Sequence, residues 1–505
     1  MNQAQEQDLL SKVPTGISGF DAFSQGGLPE GRTTLVAGTA GSGKTIFATQ
    51  FLAEGINRGH NGVFVTFEEP PKMLRKNVRG FGWDISQWER EGKWIFVDAS
   101  PQEGKVPLVS GEYDLDPLIS RLTYAIEQVD ARRVAMDSLG AIFSYVPDVA
   151  QVRAALFKLA QVLREMSITA VLTSERTSDY GEISRYGIEE FVADNVILLR
   201  NALLEEKRRR TIEILKYRGV SHQHGEFPFT IVADGAIVVI PFSTDILKRK
   251  ASRQRITSGN QSLDEMCGGG WFKSSIVLVS GATGTGKTLL ATEFVNGRVD
   301  NEEKSLLFAF EESRDQLLRN ALGWGIDYEQ MEREGKLKIV CRYPETSGLE
   351  SHFVKMRKEI ERFQPQRVAI DSISSLERIS SFKGFREFLL TLNTLFKERG
   401  ITALYTSTTA NLIGSETITE SNVSTYTDLI ILLRYVEIYG EIKRGLAVLK
   451  MRGSRHNKDI REFSIDESGM SLGKPFRNII GILAGNTSYI DTNELDRLNS
   501  LFIDT

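Results

Sequence analysis

The chain has 505 residues, too many for one ordinary hydrophobic core, so two or more domains are expected. It is 41% hydrophobic and 25% charged, the composition of a soluble globular protein, and no apolar run reaches the length needed to span a bilayer. A formal net charge of −4 weighs against a protein built chiefly to coat nucleic acid.

The start, MNQAQEQDLL, is polar and acidic and does not read as a signal peptide. TTLVAG, GVFVTF, RVAMDS, ITAVLTS and NVILL then follow as short apolar runs between longer amphipathic stretches. A second set, SIVLVSG, SLLFAF, RVAIDS, ITALYTS and DLIILL, repeats them later in the chain. Without polar alternation these read as strands buried on both faces, and the rhythm predicts an α/β fold: a parallel sheet core with helices on both faces, made twice. Cys267 and Cys341 lack metal-ligand spacing and read as thiols in a reducing compartment, so a cytoplasmic location is expected.

The two halves are collinear duplicates. Lys44 recurs as Lys287 and Glu68 as Glu311, both 243 positions on, whereas Asp137 recurs as Asp371 and Lys216 as Lys450, both 234 on. The first half therefore carries a net nine extra residues between Glu69 and Asp137, placed in PQEGKVPLVSGEYDLD (Pro101–Asp116). The expected organisation is an N-terminal domain over 1–243, a polar, basic linker over 244–255, a C-terminal domain over 256–485 and a tail over 486–505.

GTAGSGKT (38–45) and GATGTGKT (281–288) both fit the P-loop pattern after a strand and before a helix. Gly41, Ser42 and Gly43, like Gly284, Thr285 and Gly286, are expected to wrap backbone N–H groups around ATP phosphates. Lys44 and Lys287 would reach the β/γ-phosphates, and the hydroxyls of Thr45 and Thr288 would ligate Mg²⁺. Asp137 and Asp371, at strand ends, suit the second carboxylate on the magnesium side. Glu68 and Glu69, and Glu311 and Glu312, close the next strand; adjacent strand residues point to opposite sides, so one of each pair is expected to face the nucleotide and act as base. Lys216 and Arg218, and Lys450 and Arg452, sit two apart in LKxRG, which puts both cations of a pair on one face. Recurrence in both copies favours cations acting across a subunit boundary over a basic surface strand. His222 and His456 recur four residues after the arginines and read as structural or nucleotide-edge contacts.

With two P-loops, paired glutamates, MDS/IDS, LKxRG and the segments ATGTGKTLL, LDEMCGGG, MRGSRH and STYTDLIILL, the chain resembles the KaiC family of circadian-clock ATPases and kinases from about Val13 to Gly485. That resemblance implies two tandem RecA-like P-loop NTPase domains stacked as the two rings of a homohexamer, with ATP between subunits. The N-terminal ring would hydrolyse ATP; the C-terminal ring would be a serine/threonine autokinase and autophosphatase. It also implies Ser424 and Thr425 as acceptors on the neighbouring subunit, Glu311 with Glu312 as base, and Arg378 near the acceptors. The first half has Glu190 and Phe191 where the second has Ser424 and Thr425, so its site would pass phosphate only to water.

The sequence also departs from the family's pattern: Tyr426 follows Thr425, and Arg455 lies between Ser454 and His456 in place of an aromatic. In the family the C-terminal end receives the activator KaiA; here GNTSYIDTNELDRLNSLFIDT is the least family-like part, so the kinase is expected to run unaided or to answer another partner. It can form a short helix with Asp491 and Glu494 as a capping box and Leu495, Leu498 and Phe502 on one face. The first-half insert lies where the family docks KaiB, which makes a KaiB-like protein an expected partner. The rival reading is a RecA-like nucleic-acid motor or recombinase, and a third is a nucleotide-gated scaffold. The motor lacks an aromatic-interleaved basic loop, its densest cationic run being Arg208–Arg210, and retained glutamates in both copies argue against the scaffold.

Overall fold

The computed structural model describes residues 10–100, 115–140, 149–183, 192–204, 207–233, 236–240, 252–297, 303–409, 423–477, 479–483 and 488–489. Most of the extra first-half segment, Glu190 and Phe191, the linker up to residue 251 and the tail helix anticipated at Asp491–Phe502 lie outside them. The chain divides into two compact units, Met1–Pro241 and Phe242–Thr505.

In the first unit the sheet strands are β1 (Thr33–Gly38), β2 (Asn61–Thr66), β3 (Trp94–Asp98), β4 (Ala131–Asp137), β5 (Thr169–Glu175), β6 (Asn195–Leu204), β7 (Lys207–Tyr217), β8 (Phe227–Val232) and β9 (Ala236–Val239). They lie in the order β9-β8-β7-β6-β1-β5-β4-β2-β3. The six from β6 to β3 are parallel; β7, β8 and β9 add on as antiparallel hairpin strands. The purely parallel sheet expected from sequence is thus extended on one side. β6 and β7 are joined directly, so only an antiparallel return is open to them. Arg208–Arg210 belong to this ladder, opposite Leu203, Ala202 and Asn201.

The helices α1 (Lys44–Asn57), α2 (Pro71–Val78), α3 (Asp116–Val129) and α4 (Val149–Glu165) fill the crossovers. Leu35, Ala37, Val63, Val65, Val134 and Met136 turn one sheet face to Leu118, Leu122 and Ile126 of α3 and Leu156, Leu159 and Leu163 of α4. Period-two alternation then leaves the other face, with Val36, Phe64 and Ala135, to α1. The all-apolar strands follow from this double cover.

The second unit repeats the plan with β10 (Ile276–Gly281), β11 (Ser305–Ala309), β12 (Leu337–Cys341), β13 (Arg367–Asp371), β14 (Thr402–Thr408), β15 (Leu429–Ile438), β16 (Glu441–Met451), β17 (Arg461–Asp466) and β18 (Gly469–Pro475). Its order, β18-β17-β16-β15-β10-β14-β13-β11-β12, matches the first strand for strand. Among its helices are α5 (Lys287–Asn296), α6 (Arg314–Gly323), α7 (Leu349–Phe363), α8 (Ile373–Glu377) and α9 (Phe382–Arg399). Each unit buries one arginine at the start of its fourth parallel strand. Arg133 donates to the Pro14 and Phe51 carbonyls at 2.9 and 2.8 Å, and Arg367 to those of Thr257 and Phe294 at 2.8 and 3.2 Å. Both thereby tie the entering chain and the P-loop helix to the sheet.

Candidate active site

Five residues separate β1 from α1, and five separate β10 from α5. Gly41 and Gly43, with φ of 71° and 98°, and Gly284 and Gly286, with 78° and 102°, give each loop its left-handed turns. A Cβ on Gly38 would stand 2.4 Å from Ser42 Oγ, and one on Gly281 2.4 Å from the Leu433 carbonyl, so the loops curl too tightly for any side chain. Lys44 Nζ donates to the carbonyls of Gly38 and Thr39 at 3.0 and 3.2 Å, and Lys287 Nζ to that of Ala282 at 2.8 Å. Burial pulls both ammonium groups below their ordinary pKa.

The residues fit phosphate and Mg²⁺. Ser42 Oγ is buried without a partner among the described residues, while its counterpart Thr285 donates to Ala282 O. Thr45 Oγ1 lies 2.6 Å from Asp137 Oδ2, and Thr288 Oγ1 2.7 Å from Asp371 Oδ2. One hydroxyl and one carboxylate beside phosphate oxygens form the sparse oxygen set that Mg²⁺ accepts, and among the described residues no group of three His, Cys, Asp or Glu forms a denser cage. Thr173 and Thr406 donate to the other oxygen of each aspartate. Asp371 is fully buried, which raises its pKa against the pull of Thr406 and Thr288.

The glutamates stand just past the strands, which stop at Thr66 and Ala309, and not within them as expected. Pro70 follows one pair and Ser313, the N-cap of α6, follows the other, so the chain turns into a helix there. The two members of each pair nonetheless diverge. Glu68 accepts from Ser138 Oγ at 3.0 Å; Glu311 accepts from Ser372 Oγ at 2.8 Å and Ser375 Oγ at 2.6 Å. Glu69 and Glu312 instead accept from Asn77 and Asn320, and burial, followed by the nearby aspartate, raises the pKa of both. Glu68 and Glu311 are the exposed members, open to an incoming nucleophile.

All these groups follow the carboxyl ends of parallel strands. The anticipated cations do not join them. β7 runs antiparallel to β6, and Lys216 pairs with Val196 near the amino end of that strand; Lys450 pairs with Ile430 in the same way. Each pair is therefore separated from its own P-loop by the length of the central strand, roughly 15–20 Å. There Lys216 donates to Ala193 O at 2.8 Å, while Lys450 donates to the carbonyls of Ser424 and Thr427, both at 2.8 Å, and Arg452 to that of Thr425 at 2.9 Å. Ser424 and Thr425 form a 3-10 turn ahead of β15, with the Thr425 side chain exposed. His222 and His456 follow the cations at this edge; burial pulls His222, packed edge-on to Tyr217 and His224, below its ordinary pKa.

Arg378 caps α8, which follows the carboxyl end of β13. Its guanidinium is 3.6 Å from Glu311 and donates to Ser375 Oγ at 3.1 Å. Within one chain it thus belongs with the glutamate and not with Ser424 and Thr425, because those precede β15 at the other edge; any contact with them is one between chains.

Sequence reasoning missed the groups that hold the acids. Ser138 recurs as Ser372, 234 positions on, Asn77 as Asn320, 243 on, and Thr173 as Thr406 in the matching runs ITAVLTS and ITALYTS, 233 on; that recurrence was the available signal. It also missed Arg210, which donates to the Gly41 carbonyl at 3.1 Å from the ladder strand β7.

A family model described as "ATPase: KaiC" matches residues 13–243 and again 256–476. The chain is 64% identical over 498 residues to "Circadian clock protein KaiC3" of Synechocystis sp., covering 99% of each. It is 49% identical over 501 residues to "Circadian clock oscillator protein KaiC" of Synechococcus elongatus, covering 99% of this chain and 96% of the relative. The protein of the same name in Acaryochloris marina is 49% identical over 497 residues, 98% of this chain and 95% of the relative. Two matched domains, each with a complete P-loop and its Thr–Asp pair on the same nine-stranded sheet, place the chain in the KaiC family of tandem-domain ATPases.

Proposed function

We propose that this chain is an ATP-hydrolysing serine/threonine autokinase and autophosphatase of the circadian-clock type, working as a homohexamer. The observation that carries the proposal is the division of each sheet into two chemical edges. P-loop, glutamate and aspartate stand at the carboxyl edge; Lys216 with Arg218, or Lys450 and Arg452 with Ser424 and Thr425, stand at the amino edge. A chain's acceptors thus lie away from its own P-loop, and a ring that sets one chain's carboxyl edge against the next chain's amino edge unites them.

In the second unit Glu311 takes the proton of the neighbour's Ser424 or Thr425 hydroxyl. As that oxygen bonds to the γ-phosphorus, the bond to the β–γ bridging oxygen breaks and ADP leaves, with Lys287 and the neighbour's Lys450 and Arg452 neutralising the charge. In the first unit Glu190 and Phe191 offer no hydroxyl, so Glu68 orients water and the outcome is hydrolysis. Thr45 and Asp137, and Thr288 and Asp371, would hold Mg²⁺, which would supply charge neutralisation to the phosphates.

The clock role is supported by the names of the relatives. A KaiB-like protein is proposed to dock on the first-half insert: deleting part of Val106–Tyr113 is expected to abolish its binding with ATP hydrolysis retained, and retained binding refutes that assignment. The divergent tail favours a kinase that needs no KaiA-like activator for its chemistry.

The test is incubation of the purified chain with Mg²⁺ and γ-labelled ATP, partner-free, followed by peptide mapping. Label on Ser424 or Thr425, lost on joint Glu311→Gln and Glu312→Gln replacement, is the expected result. Phosphate release without label, in the presence of a KaiA-like protein as well as in its absence, would sink the kinase assignment.

A further inference from the structure

The aspartate that leads into β6 and β15 is common to both halves and takes no part in the chemistry above. We infer that Asp194 and Asp428 are positioning residues, each holding the LKxRG arginine at the amino edge in the attitude that presents it to the neighbouring chain's ATP. The inference deepens the proposed function and rests on its trans arrangement.

Arg218 and Arg452 are more than half exposed, at 56% and 55%, and an exposed guanidinium on a long stem gives up rotamer freedom when it is aimed. Each has a carboxylate beside it, at 3.8 Å for Asp194 and 3.7 Å for Asp428. That carboxylate is itself fixed to the strand bearing the P-loop. Asp194 Oδ2 accepts from Thr33 N and Oγ1 at 3.3 and 3.2 Å, and its own N–H donates to Thr33 O at 3.1 Å. Asp428 Oδ2 accepts from Ile276 N at 3.0 Å, and its N–H donates to Ile276 O at 2.8 Å. The strand that carries a P-loop at one end therefore carries at the other the anchor for an arginine serving the next nucleotide.

The anchors differ in stiffness. Asp194 is 1% exposed and shared by Arg32, Arg164 and Arg218. Burial alone would raise its pKa, but Thr33 and the Arg164 and Arg32 guanidiniums hold it below the usual carboxylate range. Asp428 is 21% exposed and shared by Lys397 and Arg452, and Arg452 has a second tie, to the Thr425 carbonyl. In the second unit the arginine is thus held partly by the segment that is to be phosphorylated.

Asp428→Asn in the full chain tests this. The amide keeps an acceptor oxygen for Ile276 N, removes the charge that Lys397 and Arg452 share, and turns a donor toward Arg452. The expected result is a fall of about tenfold in kcat for labelling, with KM for ATP and hexamer size unchanged. Arg452→Gln is expected to cost more, and adding Asp428→Asn to it nothing further. Asp428→Glu, which keeps the charge, is expected to retain most of the rate and gives the readout should the asparagine variant fail to assemble. A normal kcat in Asp428→Asn, an equal loss in the Arg452→Gln background, or equal damage from asparagine and glutamate would overturn the positioning role. An unchanged rate in Arg452→Gln would instead bring down the trans arrangement itself.

Discussion

The first and second units share a sheet order, a P-loop, a threonine–aspartate pair and a buried arginine, yet they differ at both ends of the sheet. At the carboxyl edge Glu68 accepts from Ser138, and Glu311 from Ser372 and Ser375 with Arg378 beside it; the first half has Ala141 where the second has Ser375. At the amino edge Lys450 and Arg452 hold the carbonyls of Ser424, Thr425 and Thr427, and the first half has Glu190 and Phe191 where the second has Ser424 and Thr425. A P-loop therefore does not decide between hydrolysis and protein phosphorylation. In the ring proposed above, the choice falls to what stands on the facing edge of the neighbouring chain.

The comparison breaks most sharply at the lysines. Lys287→Ala is expected to cut labelling of Ser424 and Thr425 by at least about 100-fold while phosphate release by the first unit continues; Lys44→Ala should do the reverse. Peptide mapping and phosphate release, read on hexamers of confirmed size, check both. If either variant silences both activities in an intact ring, the units are not separate engines. Next in size is the base. Glu311→Gln is expected to slow labelling by about 100-fold and Glu68→Gln to slow hydrolysis by a similar factor, since each removes the proton acceptor without changing shape. Equal effects of Glu311→Gln and Glu312→Gln would show instead that the split between exposed and half-buried glutamates means nothing. Joint Ser424→Ala and Thr425→Ala should erase the label with phosphate release unchanged within about twofold.

Much of this was legible beforehand because the repeat offered two readings of every motif. Five of the six parallel strands in each unit were visible as apolar runs, β1 bounded residue for residue by TTLVAG, whereas the edge strands β3 and β12 were not among them. Of the hairpin strands, only the LKxRG end of β7 was read as a strand; Lys207–Arg210 place charges on the ladder, and period alone does not mark such a run. Spacing singled out the P-loops, the paired acids and the LKxRG cations as candidates, and the resemblance added Ser424, Thr425 and Arg378. Their edge was not legible: that Lys450 stands away from Lys287 follows from the antiparallel turn between β15 and β16, a fact of topology. Arg378 illustrates the cost, since its place beside Glu311 depends on α8 springing from the end of β13.

The smallest expected effect concerns stability, and it again turns on one difference between the units. Gln50 of α1 donates to Gly16 O at 2.9 Å and accepts from Ile237 N at 3.0 Å; the same helical position in α5 is Glu293, accepting from Met470 N at 2.7 Å and Asn260 Nδ2 at 3.2 Å. Burial pushes the Glu293 carboxyl up to about 7, against the pull of those two donors. A raised carboxyl pKa means that the folded chain holds a proton the unfolded chain releases. Its contribution is complete below the unfolded value and is lost as pH rises through about 7. By pH 8 the ionised buried group should cost on the order of 2–3 kcal/mol, or about 5–10 °C in the melting of the second unit. Glu293→Gln copies the first unit's solution and should remove that pH-dependent loss, its difference from the parent being far smaller at pH 5 than at pH 8. Parallel melting curves for the two proteins from pH 5 to pH 8 would mean that Glu293 stays charged in its pocket. The amide and the acid would then be equivalent packing choices, and the second unit would owe no part of its pH response to this position.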